Sequence, residues 1–472
     1  MITFRILKNE LLRLARDRVL MVLSVLVLIL LTVSVLTGHQ FVKQLSVAQT
    51  EAEHIARLQW EQQGAKNPHS AAHYGTFAFK PVSLLMVFEP GITRYTGVSL
   101  FLEGHRQNAA SFSLAEDQEA SLRFAELKPA FIFTYLFPLL IIFAGFRMIS
   151  SEKESGMYRF LIAQGVTRKQ MLAGKALALW LLVLALFLPF FVLGLLVAGL
   201  VAAPSIELLR YILISVVWLV YFGIIVNLTI GTSALVKHSN MAMVGLLAFW
   251  ITIALVVPKV TSNIAANRYP VPSTTEFYQA VRDDLLEGVD GHNPFSEHSV
   301  AFRDSVLAAY GVEIVDDLPF NFRGMMLQEA EEFEKRIYDL HLSRIEEIHA
   351  RQMGAFSVGT LFSPALAMRL SAMHFAGTDR HAFNRFTAQA ESYRIDLMRV
   401  LNNDLRDNAV GDQAVGYVAH ERFFSENPMF VYQRAQKIQI PSEVRRFILV
   451  LSGWLLLSAG YMGFASAKEE AA

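Results

Sequence analysis

The chain lacks cysteine and has few charged residues. Its 472 residues include no Cys, and charged residues make up 18% of them against 53% hydrophobic residues. The absence of cysteine excludes disulfides, thiolate metal sites and a cysteine nucleophile. Soluble domains carry roughly 25% charged residues, and the deficit here is concentrated in a few long apolar runs. The composition therefore predicts a membrane protein with soluble insertions, and a formal net charge of +0 gives no indication of nucleic-acid binding.

The sequence also lacks the motifs of common catalytic sites. It has no Gly-x-x-x-x-Gly-Lys-Ser/Thr loop for nucleotide phosphates, no His-Glu-x-x-His and no Gly-x-Ser-x-Gly. We therefore expect no catalytic residue and no cofactor in this chain, and no enzyme activity of its own.

The histidines offer little evidence for a metal site. Two Glu-x-x-His pairs each match half of a carboxylate di-metal motif, Glu51 with His54 and Glu346 with His349. His69 and His73 have the spacing of one helical face, but Pro68 and Gly75 argue against a helix there. We therefore expect no metal site, because surface and packing histidines are commoner.

Six apolar runs are long enough to cross a bilayer, which takes roughly 20 residues. They cover 19–37, 130–149, 176–203, 208–236, 241–258 and 445–466. We predict an all-α polytopic membrane protein with six transmembrane helices.

The predicted spans carry no ionisable side chain in their middles. Ion-coupled carriers need such groups at mid-membrane, so this absence argues against a secondary transporter. The main polar residues are Tyr221, Asn227 and Thr229 on the fourth span, which are candidates for a transport pathway. The simpler interpretation of Asn227, which we prefer, is a hydrogen bond between helices worth about 1 kcal/mol.

Basic residues set the predicted orientation. Lys and Arg cluster in 1–18 and in 150–175, so both segments are predicted to be cytoplasmic, together with the tail at 467–472. Two insertions, 38–129 and 259–444, are then extracytoplasmic. The first 18 residues separate apolar from basic side chains, which predicts a helix in the membrane interface; the alternative is a basic flank that only sets topology.

The two insertions are predicted to form one mainly helical domain. Helical patterns cover 44–63, 326–353 and 383–402, and we find no strand-rich block. The longest pattern has an apolar face that runs through Met326, Ala330, Phe333, Ile337, Leu340 and Ile348.

One loop resembles the cytoplasmic loop of ABC-2 type transporter permeases. It reads SEKESGMYRFL at 151–161, GVTR at 165–168 and GK at 174–175. The family pattern has an acidic-basic-acidic triplet, then Gly-Thr-Leu, and a Gly-Lys that opens the next span. Met157 and Tyr158 stand where the family favours Thr and Leu.

The insertions resemble one branch of that family, whose large extracytoplasmic insertions carry a domain of unknown function. The similar stretches are 67–81, 102–105, 317–321, 363–366, 376–379 and 390–394. The resemblance implies an inner-membrane permease of bacteria that pairs with itself or a sister permease and with separate ABC-type ATPase subunits. A related permease type serves maturation of the copper enzyme nitrous-oxide reductase, which suggests an extracytoplasmic protein partner.

The loop 150–175 is the candidate site for coupling to the ATPase. Under the resemblance, Glu152, Glu154, Gly156, Phe160 and Leu161 form a short coupling helix, in which Glu154 makes a charged contact and Phe160 or Leu161 fills a pocket. The alternative is a topogenic basic loop whose acids are merely solvated.

Three functions are compatible with these features. The first is the permease subunit of an ATP-driven exporter. The second is a membrane-anchored mechanotransmitting or assembly platform for an envelope protein, without solute transport. The third, a membrane-bound hydrolase, has only scattered acids and histidines in its favour.

Overall fold

The chain is an all-α polytopic membrane protein, as predicted. The computed structural model describes residues 2–113, 127–197, 199, 203–410 and 416–468. Parts of insertion 1, of the third predicted span and of the C-terminal tail lie outside these residues. The described part contains six helices long and apolar enough to cross a membrane, which confirms that number: Arg18–Glu61, Pro129–Glu154, Arg168–Val197, Ser205–Leu235, Ser239–Arg268 and Ser442–Ala467.

The elements follow one another in chain order. The helices before the fifth span are α1 (Ile2–Arg16), α2 (Arg18–Glu61), α3 (Pro68–Tyr74), α4 (Pro129–Phe131), α5 (Phe137–Gly145), α6 (Ser150–Glu154), α7 (Met157–Ala163), α8 (Arg168–Val197) and α9 (Ser205–Leu235). The remaining helices are α10 (Ser239–Ile251), α11 (Val257–Arg268), α12 (Thr274–Leu285), α13 (Glu297–Tyr310), α14 (Phe322–Phe362), α15 (Pro364–Ala376), α16 (Arg380–Asn408), α17 (Glu421–Glu426) and α18 (Ser442–Lys468). Short 3-10 turns cover Leu84–Val87 and Val315–Asp317.

The first span continues far beyond the membrane. α2 has 44 residues, which makes it about 66 Å long, roughly twice the hydrocarbon thickness of a bilayer. Asp17 begins the helix by accepting hydrogen bonds from the backbone N–H groups of Val19 and Leu20. The helix predicted at 44–63 is therefore the outer part of α2, because no proline separates it from the span.

Two spans contain a π-helical turn just before a proline. The turns are Ile132–Leu136, followed by Pro138, and Thr252–Val256, followed by Pro258. Proline lacks the N–H that would reach a carbonyl one turn earlier, and neighbouring side chains approach these carbonyls instead. The hydroxyl of Tyr221 lies 3.5 Å from the carbonyl oxygen of Thr134.

Insertion 1 contains a small antiparallel sheet that we did not predict. Its strands are β1 (Thr76–Phe79), β2 (Gly97–Glu103), β3 (Arg106–Gln107) and β4 (Ser111–Ser113). β2 is central and pairs with β1 on one edge, Thr76 opposite Leu102, and with β3 and β4 on the other. The three strands that pair with β2 have 4, 2 and 3 residues, which is too short for alternation to be recognised from sequence.

The long helices of insertion 2 are present and longer than predicted. α14 contains the pattern at 326–353, and α16 contains the one at 383–402. The predicted apolar face holds only in its first half: Met326 and Ala330 are buried, whereas Leu340 is 42% exposed. Beyond this point the buried side of α14 passes through Tyr338 and His341 instead.

Both insertions share cores with each other and with the spans. Trp60 of α2 is buried beside Leu401 and Phe424 of insertion 2, and its indole N–H donates to the Phe424 carbonyl at 3.0 Å. α15 packs against the spans α9 and α18, with Phe375 buried in the span core. Insertion 2 is therefore joined to the span bundle by more than its two ends.

Candidate functional site

The loop face is the end of the span bundle that carries α1, α6 and α7. α1 lies against the start of α8, where a side chain on Gly174 would come within 2.8 Å of Ile6. Gly174 therefore allows the close approach of α1. The glycine of the Gly-Lys pair is explained by packing.

The lysine of that pair is the centre of a buried ionic array. Lys175 is 1% exposed, and its Nζ donates to carboxylate oxygens of Glu10 on α1 and of Glu152 on α6, the latter at 2.7 Å. We call Glu10, Lys175 and Glu152 the lysine triad. A buried cation between two carboxylates is costly to disturb, because removing one partner leaves an uncompensated charge. The triad thus ties α1, α6 and α8 together.

Glu154 joins the same loop to the fifth span, and Lys153 joins it to the fourth. Its carboxylate accepts hydrogen bonds from the backbone N–H of Ser239 at 2.7 Å and from the Ser239 hydroxyl at 3.0 Å, at the first residue of α10. A carboxylate at a helix N-terminus is stabilised by the unpaired N–H groups there. One residue earlier, Lys153 donates to the backbone carbonyl of Ala234 near the end of α9.

α7 has one face turned inward and one turned to the surroundings. Gly156 begins it in the left-handed region at φ 78°, which only glycine adopts without strain. Tyr158 is buried, and Leu161 packs partly against the span core. Met157 and Phe160 are 49% and 57% exposed. The exposed apolar pair of α7 is therefore Met157 and Phe160.

The structure divides the predicted coupling residues into two groups. Glu152 and Glu154 use their carboxylates inside the chain, and Leu161 faces inward, whereas Phe160 points outward on α7 with Gly156 at its start. Their role in ATPase coupling stays a prediction. Ser239 and Glu10 were missed because they are distant from the loop in sequence, and Met157 was not predicted as a contact residue.

The three polar residues of the fourth span are packed between helices. Asn227 is 8% exposed, and its amide donates to the Ser458 hydroxyl of α18 at 3.2 Å. Thr229 is fully buried where Gly145 of α5 approaches α9 closely. This is the helix–helix contact that we preferred for Asn227; a pathway role for the three stays a prediction.

A second polar constellation gathers histidines from both insertions. His69, His73, His105 and His292 bring one ring nitrogen each within 4.8 Å of one another, and we call them the histidine cluster. The expectation of no helix at His69 and His73 was wrong, because Pro68 occupies the first turn of α3, where its missing N–H costs nothing.

The cluster has a distinct electrostatic character. Burial, together with the neighbouring His105 and His73, lowers the pKa of His69 to about 3. Burial and the neighbouring His105 also lower the pKa of His73 and of His292. Hydrogen bonding to Glu334 raises the pKa of His105 against the effect of burial.

The whole arrangement defines a class: a six-span membrane protein with no nucleotide-binding motif in its sequence, a structured loop face and a large insertion on the opposite side. A family model described as ABC-2 family transporter protein matches residues 4–297. The chain belongs to the ABC-2 type transporter permeases. A domain of unknown function (DUF3526) matches residues 274–433, which lie within insertion 2. No curated protein matches the chain.

Proposed function

We propose that this permease is the membrane subunit of an ATP-driven exporter whose ATP is hydrolysed by a separate ABC-type ATPase subunit seated on the loop face. The observation that carries the proposal is the exposed pair Met157 and Phe160 on α7. Large apolar side chains are costly to leave in water unless a partner covers them.

The contacts between this loop and the spans support a role for α7 in transmitting motion. The loop reaches α8 and α1 through the lysine triad, α10 through Glu154 and α9 through Lys153. A partner that pushes on α7 would therefore move four helices rather than a free loop. In this proposal Glu152 and Glu154 link the loop to the other helices. Phe160 and Met157 form the surface that contacts the ATPase.

The proposal places the loop face and both termini in the cytoplasm of a bacterium, with the permease in the inner membrane as a homodimer or with a sister permease. Because the chain has no Cys, single cysteines test the orientation cleanly. Ser343→Cys, exposed on α14, should react with an impermeant thiol reagent in intact spheroplasts. Ser155→Cys, exposed on the loop face, should react only after lysis, and the reverse pattern contradicts the orientation.

The decisive experiment is Phe160→Asp in the permease co-expressed with its ABC-type ATPase. Aromatic anchors at interfaces contribute about 2 kcal/mol or more, roughly thirtyfold in affinity. We expect the variant to insert and melt normally, since Phe160 is 57% exposed, but to lose ATPase co-purification. Phe295→Asp, the same change at a phenylalanine of insertion 2 that is 84% exposed, is the matched control. Normal ATPase retention by Phe160→Asp contradicts the docking surface.

A second candidate function is a platform that transmits ATP-driven motion to an envelope protein without moving a solute. The continuous rod α2 favours it, because one helix joins the membrane to the core around Trp60. Transport in vesicles containing both subunits separates the two: a solute that accumulates only with ATP supports the exporter, and ATP hydrolysis without any accumulation supports the platform.

A further inference from the structure

The histidine cluster lies where three separate segments meet. His69 and His73 stand one turn apart on α3, His105 occupies the turn between β2 and β3, and His292 precedes α13 in insertion 2. The ring centroids of His105 and His292 are 4.5 Å apart, and those of His69 and His73 4.6 Å. A side chain on Gly291 would come within 3.2 Å of the His105 ring, so this glycine lets the insertion 2 segment approach.

Hydrogen bonds among the rings cannot pair all of the close ring nitrogens around His73. Nε2 of His73 lies 3.2 Å from Nε2 of His69 and 3.3 Å from Nε2 of His292. A neutral imidazole nitrogen carries either one proton or one lone pair. Nε2 of His73 therefore makes one good hydrogen bond, and its second close nitrogen contact is left without a matching proton or lone pair.

A shared cation satisfies all of these nitrogens. Nitrogens bound at about 2.0–2.1 Å to one tetrahedral zinc ion stand about 3.3–3.4 Å apart. The two Nε2 separations around His73, 3.2 and 3.3 Å, are close to that spacing. His73 and His292 are exposed and the other two are half-buried, so an ion can enter from the surroundings.

The surroundings of His105 resemble the outer shell of a metal ligand. Its Nδ1 lies 3.2 Å from a carboxylate oxygen of Glu334, which leaves Nε2 for the cluster. Metal-bound histidines typically donate their other ring N–H to a carboxylate, which fixes the tautomer and the ring orientation. The backbone N–H of His105 also donates to Glu331 at 2.5 Å, in a left-handed turn at φ 62° that non-glycine residues rarely adopt.

A further layer holds Glu331 in place. Arg394 is 2% exposed at its side chain and donates to Glu331 at 2.9 Å, and also to Glu391 at 2.9 Å. We call Glu331, Arg394 and Glu391 the arginine triad. Strain of the kind seen at His105 persists only where the surrounding structure over-determines it, and the arginine triad provides that support.

We propose that the histidine cluster is a binding site for one divalent transition-metal ion of the zinc or copper class, held by four imidazoles that join insertion 1 to insertion 2. Imidazole ligands suit zinc, copper and nickel, whereas magnesium and calcium prefer oxygen. Glu334 is the outer-shell partner of His105. This site differs from our expectation of no metal, which rested on the greater frequency of surface and packing histidines and on the mistaken absence of a helix at His69. It is independent of the function proposed for the loop face.

The test uses the full-length protein in detergent, stripped with a chelator and titrated with Zn²⁺ against a chromophoric competitor, and separately with Cu²⁺. We expect one ion per chain, and a Cu²⁺ electron paramagnetic resonance spectrum with hyperfine splitting from at least three nitrogens. Substoichiometric binding, or a spectrum dominated by oxygen ligands, overturns the site.

Two variants locate the ion. His73→Ala and His292→Ala change exposed side chains, so folding should be preserved, and each should weaken Zn²⁺ at least a hundredfold. His298→Ala, exposed on the neighbouring α13, is the matched control and should bind like the native chain. Unchanged affinity in His73→Ala, or equal losses in all three variants, overturns the assignment.

A third variant tests the outer shell. Glu334→Gln should lower Zn²⁺ affinity about 10–100-fold, the usual effect of losing such a partner. Zn²⁺ should also raise the melting temperature of the native chain but not of His73→Ala, because the ion joins two insertions. A melting temperature that Zn²⁺ raises equally in both proteins contradicts the bridge.

Discussion

The lysine triad on the loop face and the histidine cluster between the insertions are two gatherings of ionisable side chains that differ in one respect. Lys175 is enclosed by the carboxylates of Glu10 and Glu152, so the protein supplies both signs of charge. The histidines bring the lone pairs of four rings together, and the carboxylates of Glu331 and Glu334 that lie near them contact the outer side of His105. Charges that are paired with each other inside the chain stabilise the fold. Ring nitrogens that lack such partners form a candidate binding site.

The charges of the arginine triad are also paired inside the chain. We expect its disruption to cause the largest loss of stability. Arg394→Met leaves Glu331 and Glu391 buried without their cation and removes four hydrogen bonds, including one to the Glu103 carbonyl. Breaking a buried pair costs about 3–5 kcal/mol, and we expect the upper end. Thermal unfolding in detergent measures it, with the exposed Arg399→Met as control. Equal melting of the two variants would show that the triad is not what stabilises insertion 2.

Lys175→Met should have the next largest effect, because it leaves Glu10 and Glu152 without a counter-charge. We expect a loss near the lower end of about 3–5 kcal/mol, since Glu152 is 16% exposed and water screens part of its charge. The triple change Lys175→Met, Glu10→Gln and Glu152→Gln should recover most of that loss. If the triple variant is as unstable as the single one, packing of the lysine stem matters more than its charge.

Lys80 extends the comparison to a buried cation whose hydrogen bond goes to a hydroxyl rather than to a carboxylate. Its Nζ donates to the Thr93 hydroxyl, and burial lowers its pKa from 10.5 to about 8, although Asp379 acts in the opposite direction. The unfolded chain then binds more protons between about pH 8 and 10, so the free energy of unfolding rises with pH in that window. Lys80→Met should abolish the rise and stabilise the protein by about 3 kcal/mol at pH 7. Melting curves at pH 7.5 and 9.5 measure both effects. If the stability of Lys80→Met rises with pH as much as that of the native chain, the prediction is wrong.

Ser239→Ala should have the smallest effect on stability. It removes the hydroxyl shared by Glu154 and Ser150 but keeps the backbone N–H that also binds Glu154. The loss of such a hydrogen bond costs about 1 kcal/mol. If Glu154 transmits motion from α7 to α10, stimulated ATP hydrolysis should fall by more than the melting temperature implies. Ser155→Ala is the control, because Ser155 is exposed and follows Glu154 in the chain.

Most of the fold could be predicted because it depends on local patterns. Six apolar runs predicted the number of the spans and their order along the chain. The distribution of Lys and Arg predicted the orientation of the spans, which stays a prediction. The sheet escaped because β3 has only 2 residues and β4 has 3. Coupling through the loop at 150–175 stays a prediction, and its sequence did not indicate which face of α7 is exposed, because that depends on how the helix packs against the span core.

What the sequence by itself determined is the class of protein, its six spans and the absence of a nucleotide loop, because hydrophobic length and motif spacing are properties of neighbouring residues. Only the tertiary structure decided which polar groups meet. Lys175 and Glu10 are 165 positions apart, and His73 and His292 are 219 apart. Such contacts are fixed by the packing of whole helices and insertions, so spacing along the chain carries no trace of them. The same packing made Glu152 a structural partner and left four histidines facing one another.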